Sequence, residues 1–124
     1  MEKSLVLSTI KSVLDVEGIY VCFLFGSFGT KYFNEYSDLD IAVITDLNFS
    51  QLWLLKEKIS KKLSIDVDLV NVDKLDGIFK LQIAYRSDIV FCKDEFKLDK
   101  FLSDVDYWYK TDYRIWKSWQ ESDW

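Results

Sequence analysis

Two aspartates one residue apart, Asp38 and Asp40, head an otherwise apolar run, DLDIAVI (38–44). An unpaired carboxylate taken out of water costs several kcal/mol, so these two either stand in solvent at a strand end or meet something positive. Side chains alternate across a strand, which puts Asp38 and Asp40 on one face, about 7 Å apart along the backbone. Ala42 and Ile44 continue that face, while Leu39, Ile41 and Val43 fill the other. A second run, SIDVDLVNV (64–72), repeats the arrangement with Asp66 and Asp68. If the two runs are neighbouring strands, three or four carboxylates converge on one patch. Their repulsion then raises their pKa values unless a cation joins them. Hard oxygen donors select Mg2+ or Mn2+, and Mg2+ is commonly held by one or two carboxylates plus substrate phosphates.

An Asp-x-Asp alone carries little weight in this acidic chain, which has a third at Asp104 and Asp106. The first is set apart by Gly26 and Ser27, which directly follow the apolar run IYVCFLF (19–25) and open a predicted short helix. A glycine lets phosphate oxygens approach the backbone, and the Ser27 hydroxyl and first helical amides can hold them. A phosphate cradle beside a metal clamp is what transfer of a nucleotidyl group from a nucleoside triphosphate needs. Gly26-Ser27-Phe28-Gly29 also fits the GxxG loop of a KH RNA-binding domain, but the acidic surroundings weigh against it. A P-loop is excluded, because Gly29-Thr30-Lys31 has the wrong order and no longer glycine spacing fits.

The 124 residues are 49% hydrophobic, enough for one domain with a real core, expected to span 1–124. Net charge is −5, from 21 acids and 16 bases without a basic cluster, which argues against direct nucleic-acid binding. The absence of histidine excludes a Ser-His-Asp triad, a Cys-His dyad and the common zinc sites. Cys22 and Cys92 lie within apolar runs and read as buried thiols of a reducing compartment. The N-terminal stretch is helical and polar on one side rather than a signal peptide, and no apolar run approaches a membrane span. A cytoplasmic location without membrane contact is expected.

The elements that position these residues follow from periodicity. Residues 2–16 place Leu5, Ile10, Val13 and Leu14 as one helical stripe, closed by Gly18. The continuous run 19–25 predicts a strand covered on both faces. Asn48 caps a helix with Leu52, Leu55, Ile59 and Leu63 inward. Asp73 caps the next, with Leu75, Ile78, Phe79 and Ile83 inward, and SDIVFC (87–92) is a fourth strand. From Asp94 onward the pattern is a long helix, broken near Thr111. The order α-β-α-β-α-β-α-β-α predicts an α/β fold, a small mixed β-sheet flanked by helices, with an aromatic-rich C-terminal helix at about 95–124.

The frame LFGS…SDLDIAV, with ten residues between Ser27 and Asp38, resembles that of the DNA polymerase beta-like nucleotidyltransferases. In its short length the chain resembles the minimal nucleotidyltransferase (MNT) subfamily. The likeness extends to DVDLVNV (66–72), similar to the strand bearing that family's third carboxylate, and to IAYRSDIVFCKDE (83–95), similar to its closing strand. The resemblance matches Gly26 and Ser27 to the phosphate-gripping pair and Asp38 and Asp40 to the metal-binding pair. Asp68 matches the third acid, with Asp66 the substitute. Many members carry Ala-Arg-Gly where this chain has Gly29-Thr30-Lys31, so the family guanidinium is missing at Thr30. Lys31 and Arg86 are left as candidates to grip the triphosphate.

The resemblance implies the nucleotidyltransferase fold and the role of antitoxin to a HEPN-domain ribonuclease toxin. Such an antitoxin transfers AMP from ATP to a toxin tyrosine. In that scheme Asp38 and Asp40 hold Mg2+, while Asp68 helps to bind a metal and activates the attacking hydroxyl. Two other readings stand beside it: a binding-only antitoxin that occludes its partner, and a small-molecule, aminoglycoside-type nucleotidyltransferase, for which the chain leaves little room. The tail DYWYKTDYRIWKSWQESDW (106–124) holds four of the five tryptophans. Trp108, Ile115 and Trp119 read as core. Tyr109, Tyr113, Trp116 and Trp124 read as a partner surface, since aromatic residues dominate interface hot spots.

Overall fold

The apolar run 19–25 becomes strand β1 (Ile19–Phe25), which has a strand on each side and helices over both faces. The computed structural model describes residues 2–26 and 38–122, apart from the side chains of residues 115, 116, 119 and 122. Before β1 comes α1 (Lys3–Leu14); after it come β2 (Leu39–Thr45), α2 (Phe49–Leu63) and β3 (Val67–Asn71). A 3-10 turn (Val72–Lys74) leads to α3 (Gly77–Arg86), β4 (Asp88–Cys92) and α4 (Glu95–Trp108). A π-helical turn (Tyr109–Tyr113) then joins α4 to α5 (Arg114–Ser122). The sheet order is β3-β2-β1-β4. β1 is antiparallel to β2 and β4, and β2 is parallel to β3. The expected α/β architecture is therefore the one adopted. The short helix expected after β1 lies outside the described residues.

Period-2 alternation divides the sheet's side chains between two cores. Leu39, Ile41 and Val43 of β2 and Val67 and Leu69 of β3 pack with Val6, Ile10 and Leu14 of α1 and Leu52 and Ile59 of α2. On the opposite face Val21, Phe23 and Ala42 pack with Ile83 of α3 and Phe101 and Val105 of α4. The Phe23 and Phe101 rings meet at 5.5 Å between centroids, tilted by 46°. Asp40 and Asp68 belong to this second face by parity, so α3 lies over the same face of the sheet.

Local chemistry fixes the helix ends. Asn48 accepts from the Gln51 amide and the Gln51 side chain accepts from the Asn48 amide, a complete capping box for α2. The cap of α3 is Asp76 rather than the expected Asp73, which sits inside the 3-10 turn. Packing on the sheet buries Ile83, while Ile78 and Phe79, expected inward, are exposed. Val6 takes the inward place expected of Leu5, because the stripe of α1 runs 6, 10, 13, 14. Cys22 is buried as expected, but Cys92 on the edge strand β4 is only half-buried, and both thiols are free. Burial pushes the Cys22 thiol up to about 12, so it stays protonated. The break expected near Thr111 is the π turn, where the Thr111 hydroxyl donates to the Tyr107 carbonyl at 2.7 Å. Trp108 is half-buried against α3; Ile115, Trp116, Trp119 and Trp124 fall outside what is described.

The contact of Trp108 with α3 is tight. A Cβ on Gly77 would overlap the Trp108 indole. Alanine normally stabilises a helix over glycine by roughly 0.5–1 kcal/mol, but overpacking costs roughly 1–3 kcal/mol, so the overlap decides the sign. Gly77→Ala is expected to lower stability in urea unfolding, and to become stabilising in a Trp108→Ala background. Equal penalties in both backgrounds would rule the contact out.

Candidate functional site

The parallel register of β2 and β3 sets Asp40 directly opposite Asp68, with Leu39 opposite Val67. On the other side of β2, Asp40 lies opposite Phe25, the last residue of β1. Gly26 follows with φ +84°, a left-handed conformation open to glycine at little cost. A Cβ there would collide with Asp40 Oδ2. The turn thus brings bare backbone against the carboxylate. Asp38 precedes β2 and is exposed, while Asp66 precedes β3 and its carbonyl accepts from the Leu39 amide at 2.9 Å.

A cleft of about 550 Å3 opens at this end of the sheet, lined by Gly26, Asp40 and Asp68 on one side and Phe79, Gln82 and Arg86 of α3 on the other. Neither Asp38 nor Asp66 lines it. Burial, and after it the charges of Asp68 and Asp38, hold the Asp40 carboxyl above the usual carboxylate range. Asp68 and Asp38 therefore both act electrostatically on Asp40. Among the described residues no three Asp, Glu, Cys or His close into a metal-holding group. The donor set nonetheless fits a hard divalent cation of the Mg2+ kind, which takes one or two carboxylates and completes its shell with phosphate and water. Asp40 and Asp68 would be its protein ligands in the cleft, with exposed Asp38 just before β2.

The structure thus brings together Gly26, Asp40, Asp68 and Arg86 of the residues singled out in sequence. Ser27 and Lys31 lie outside the described residues. Sequence reading missed Phe79 and Gln82 as cleft residues, since Phe79 was assigned to the core. Their spacing with Arg86, three and then four residues, is the signal of one helical face.

A second cavity of similar size, about 550 Å3, lies at the opposite end, between Tyr20, Asp46 and Asp73 and the lysines Lys80, Lys97 and Lys100. Many of its charges already answer one another. The Tyr20 hydroxyl donates to Asp46, Lys100 pairs with Asp104 at 2.9 Å, and the Lys97 ammonium stands 4.7 Å over the Tyr20 ring. It has no carboxylates opposed across neighbouring strands beside a glycine turn, so the first cleft is the candidate site.

Residues 8–96 match the sequence model of the family described as polymerase beta, nucleotidyltransferase. No curated protein matches the chain. Among solved structures, the chain is similar to one from a toxin–antitoxin crystal structure with AMP-PNP, at TM-score 0.79 and 21% identity over 93% of this chain and 95% of that one. A chain of the MntA-HepT toxin–antitoxin structure gives TM-score 0.76 and 20% identity, over 96% and 97%. A chain from the complex of tri-AMPylated Shewanella oneidensis HEPN toxin with MNT antitoxin gives 0.78 and 21%, over 97% of each. At these identities the likeness is one of fold.

Two outcomes follow from the packing of Gly26 and Asp40. Gly26→Ala is expected to cost roughly 1–3 kcal/mol in strain and displacement of Asp40, read as a lower unfolding midpoint. Asp40→Asn should act oppositely. Because the folded state raises the Asp40 pKa, its penalty is absent below the unfolded value of about 3.9 and grows as pH rises through the folded one. Without divalent cation, Asp40→Asn should raise the melting temperature by a few degrees at neutral pH, a gain that shrinks as pH falls toward about 4. A gain that persists unchanged in acid would show that repulsion is not its source.

Proposed function

The chain belongs to the polymerase beta nucleotidyltransferase family, and from that premise we propose that it is an antitoxin that adenylylates its cognate HEPN-domain ribonuclease toxin. The whole of residues 1–124 acts as one minimal nucleotidyltransferase domain, with ATP as donor and a toxin tyrosine as acceptor. The observation that carries this reading is the cross-strand pair Asp40–Asp68 lining a cleft, beside the bare backbone of Gly26. Further support comes from the fold likeness to chains of toxin–antitoxin complexes, one with AMP-PNP and one with a tri-AMPylated HEPN toxin.

Asp38, Asp40 and Asp68 would hold Mg2+, or Mn2+ in its place. The metal, when bound, supplies positive charge against the triphosphate and the repelling carboxylates. Gly26, Ser27 and Lys31 grip the β- and γ-phosphates through backbone amides, a hydroxyl and an ammonium. Asp68 takes the proton of the acceptor tyrosine. The phenolic oxygen then bonds to the α-phosphorus as the bond from that phosphorus to the bridging oxygen breaks, and pyrophosphate leaves. The α3 wall suits a protein acceptor. Gln82 and Arg86 border both the cleft and an adjoining groove of about 440 Å3 formed by Ile78, Tyr85, Tyr109 and Tyr113. A partner seated in that aromatic groove stands next to the nucleotide. Among the described residues no helix is long and apolar enough to cross a membrane, which accords with action in the cytoplasm.

The same groove favours a second reading, an antitoxin that works by contact alone. Intact-mass spectrometry of the toxin, incubated with this chain, ATP and Mg2+, separates the two. Toxin mass should rise in steps of one AMP, and Asp38→Ala/Asp40→Ala should abolish the gain. A complex that forms without any mass gain would establish neutralisation by occlusion.

A further inference from the structure

Helix α3 ends on Arg86, the one basic side chain lining the cleft among the described residues. A guanidinium that shares a cleft with two carboxylates is a natural partner for them. Arg86 forms no ion pair with Asp40, Asp68 or any other described carboxylate. The cleft thus has acids on its sheet wall and an unspent cation on its helix wall.

An anionic ligand lying between these walls would face repulsion from one side, and Arg86 is the group across the cleft that offsets it. Its planar fork of five N–H donors matches phosphate oxygens in a way that a flexible ammonium does not. Phe79 and Gln82 share the cleft-facing side of α3 with it, and Ile83, buried in the core, fixes the helix on the sheet. The guanidinium is therefore carried by a rigid element. We infer that Arg86 is a nucleotide-positioning residue that grips the triphosphate from the α3 side of the cleft. The inference rests on the nucleotidyltransferase reading and adds to it a binding residue on the wall opposite the Gly26 turn.

Isothermal titration of the full chain with ATP and with AMP, in Mg2+, tests it. Arg86→Ala should weaken ATP binding about 10- to 100-fold, as expected for lost hydrogen bonds to a charged group, and leave AMP binding within about twofold. Arg86→Lys should recover part of the loss, charge without the fork. Arg86→Gln, closer in length, serves if the alanine variant does not fold, and matched melting temperatures exclude a structural cause. Undiminished ATP binding in a folded variant, or equal losses for ATP and AMP, would overturn the role of Arg86 alone. Loss of toxin binding with ATP affinity intact would likewise overturn it and assign Arg86 to the partner surface. A wild-type chain that binds neither nucleotide would sink the nucleotidyltransferase reading, and Arg86's role with it.

Discussion

The rest of the molecule has to accommodate one unfavourable contact, the two carboxylates that the parallel register of β2 and β3 sets opposite each other. Like charges this close are a cost in any water-filled cleft, and partial burial of Asp40 adds to it. Chemistry at a carboxylate pair requires that the cost be met elsewhere, because an unsupported pair would splay apart. Support comes from the residues between and behind the acids. Leu39 and Ile41 on β2 and Val67 and Leu69 on β3 are buried on the opposite face, so separating Asp40 from Asp68 would expose the core over α1 and α2.

The two faces of the sheet thus do different work. One, beneath α1 and α2, is apolar at its core and holds the register. The other is apolar only in its middle, where Val21, Phe23 and Ala42 meet α3 and α4, and polar at both ends. Helix α3 spans that second face. Its first turn is fixed by Gly77 against Trp108, and its last turn carries Arg86 to the cleft. A single rigid helix links the packing of the C-terminal segment to the geometry of the site.

Much of this was legible in the residues. The uninterrupted apolar run of β1 announced a strand covered on both faces, and Asn48 announced the start of α2, because both signals are local. The facing aspartates were legible as a condition: alternation put each pair on one face, but only the strand order could make them neighbours. What was misread depended on choices that local sequence leaves equal. Asp73 and Asp76 are both competent caps three residues apart, and Ile78 and Phe79 fit a helical stripe with Ile83 as well as they fit an exposed face. Leu5 and Val6 are equally apolar, and tertiary packing selected Val6. Phe79 and Gln82 went unread as cleft residues because an exposed phenylalanine on a helix carries no local mark of a ligand site.

The strand that carries Asp68 is the outermost of its side of the sheet, bonded to β2 alone. Asp40 rides on an interior strand bonded on both edges. Edge strands open at lower free energy than the centre, since half of their ladder is missing and fewer neighbours hold them. The two halves of the site therefore differ in lability. Amides of β3 should exchange with solvent through local openings that leave β1 and β2 paired, and each such event takes the cleft apart and exposes Val67 and Leu69. The site has a lifetime of its own, shorter than that of the fold.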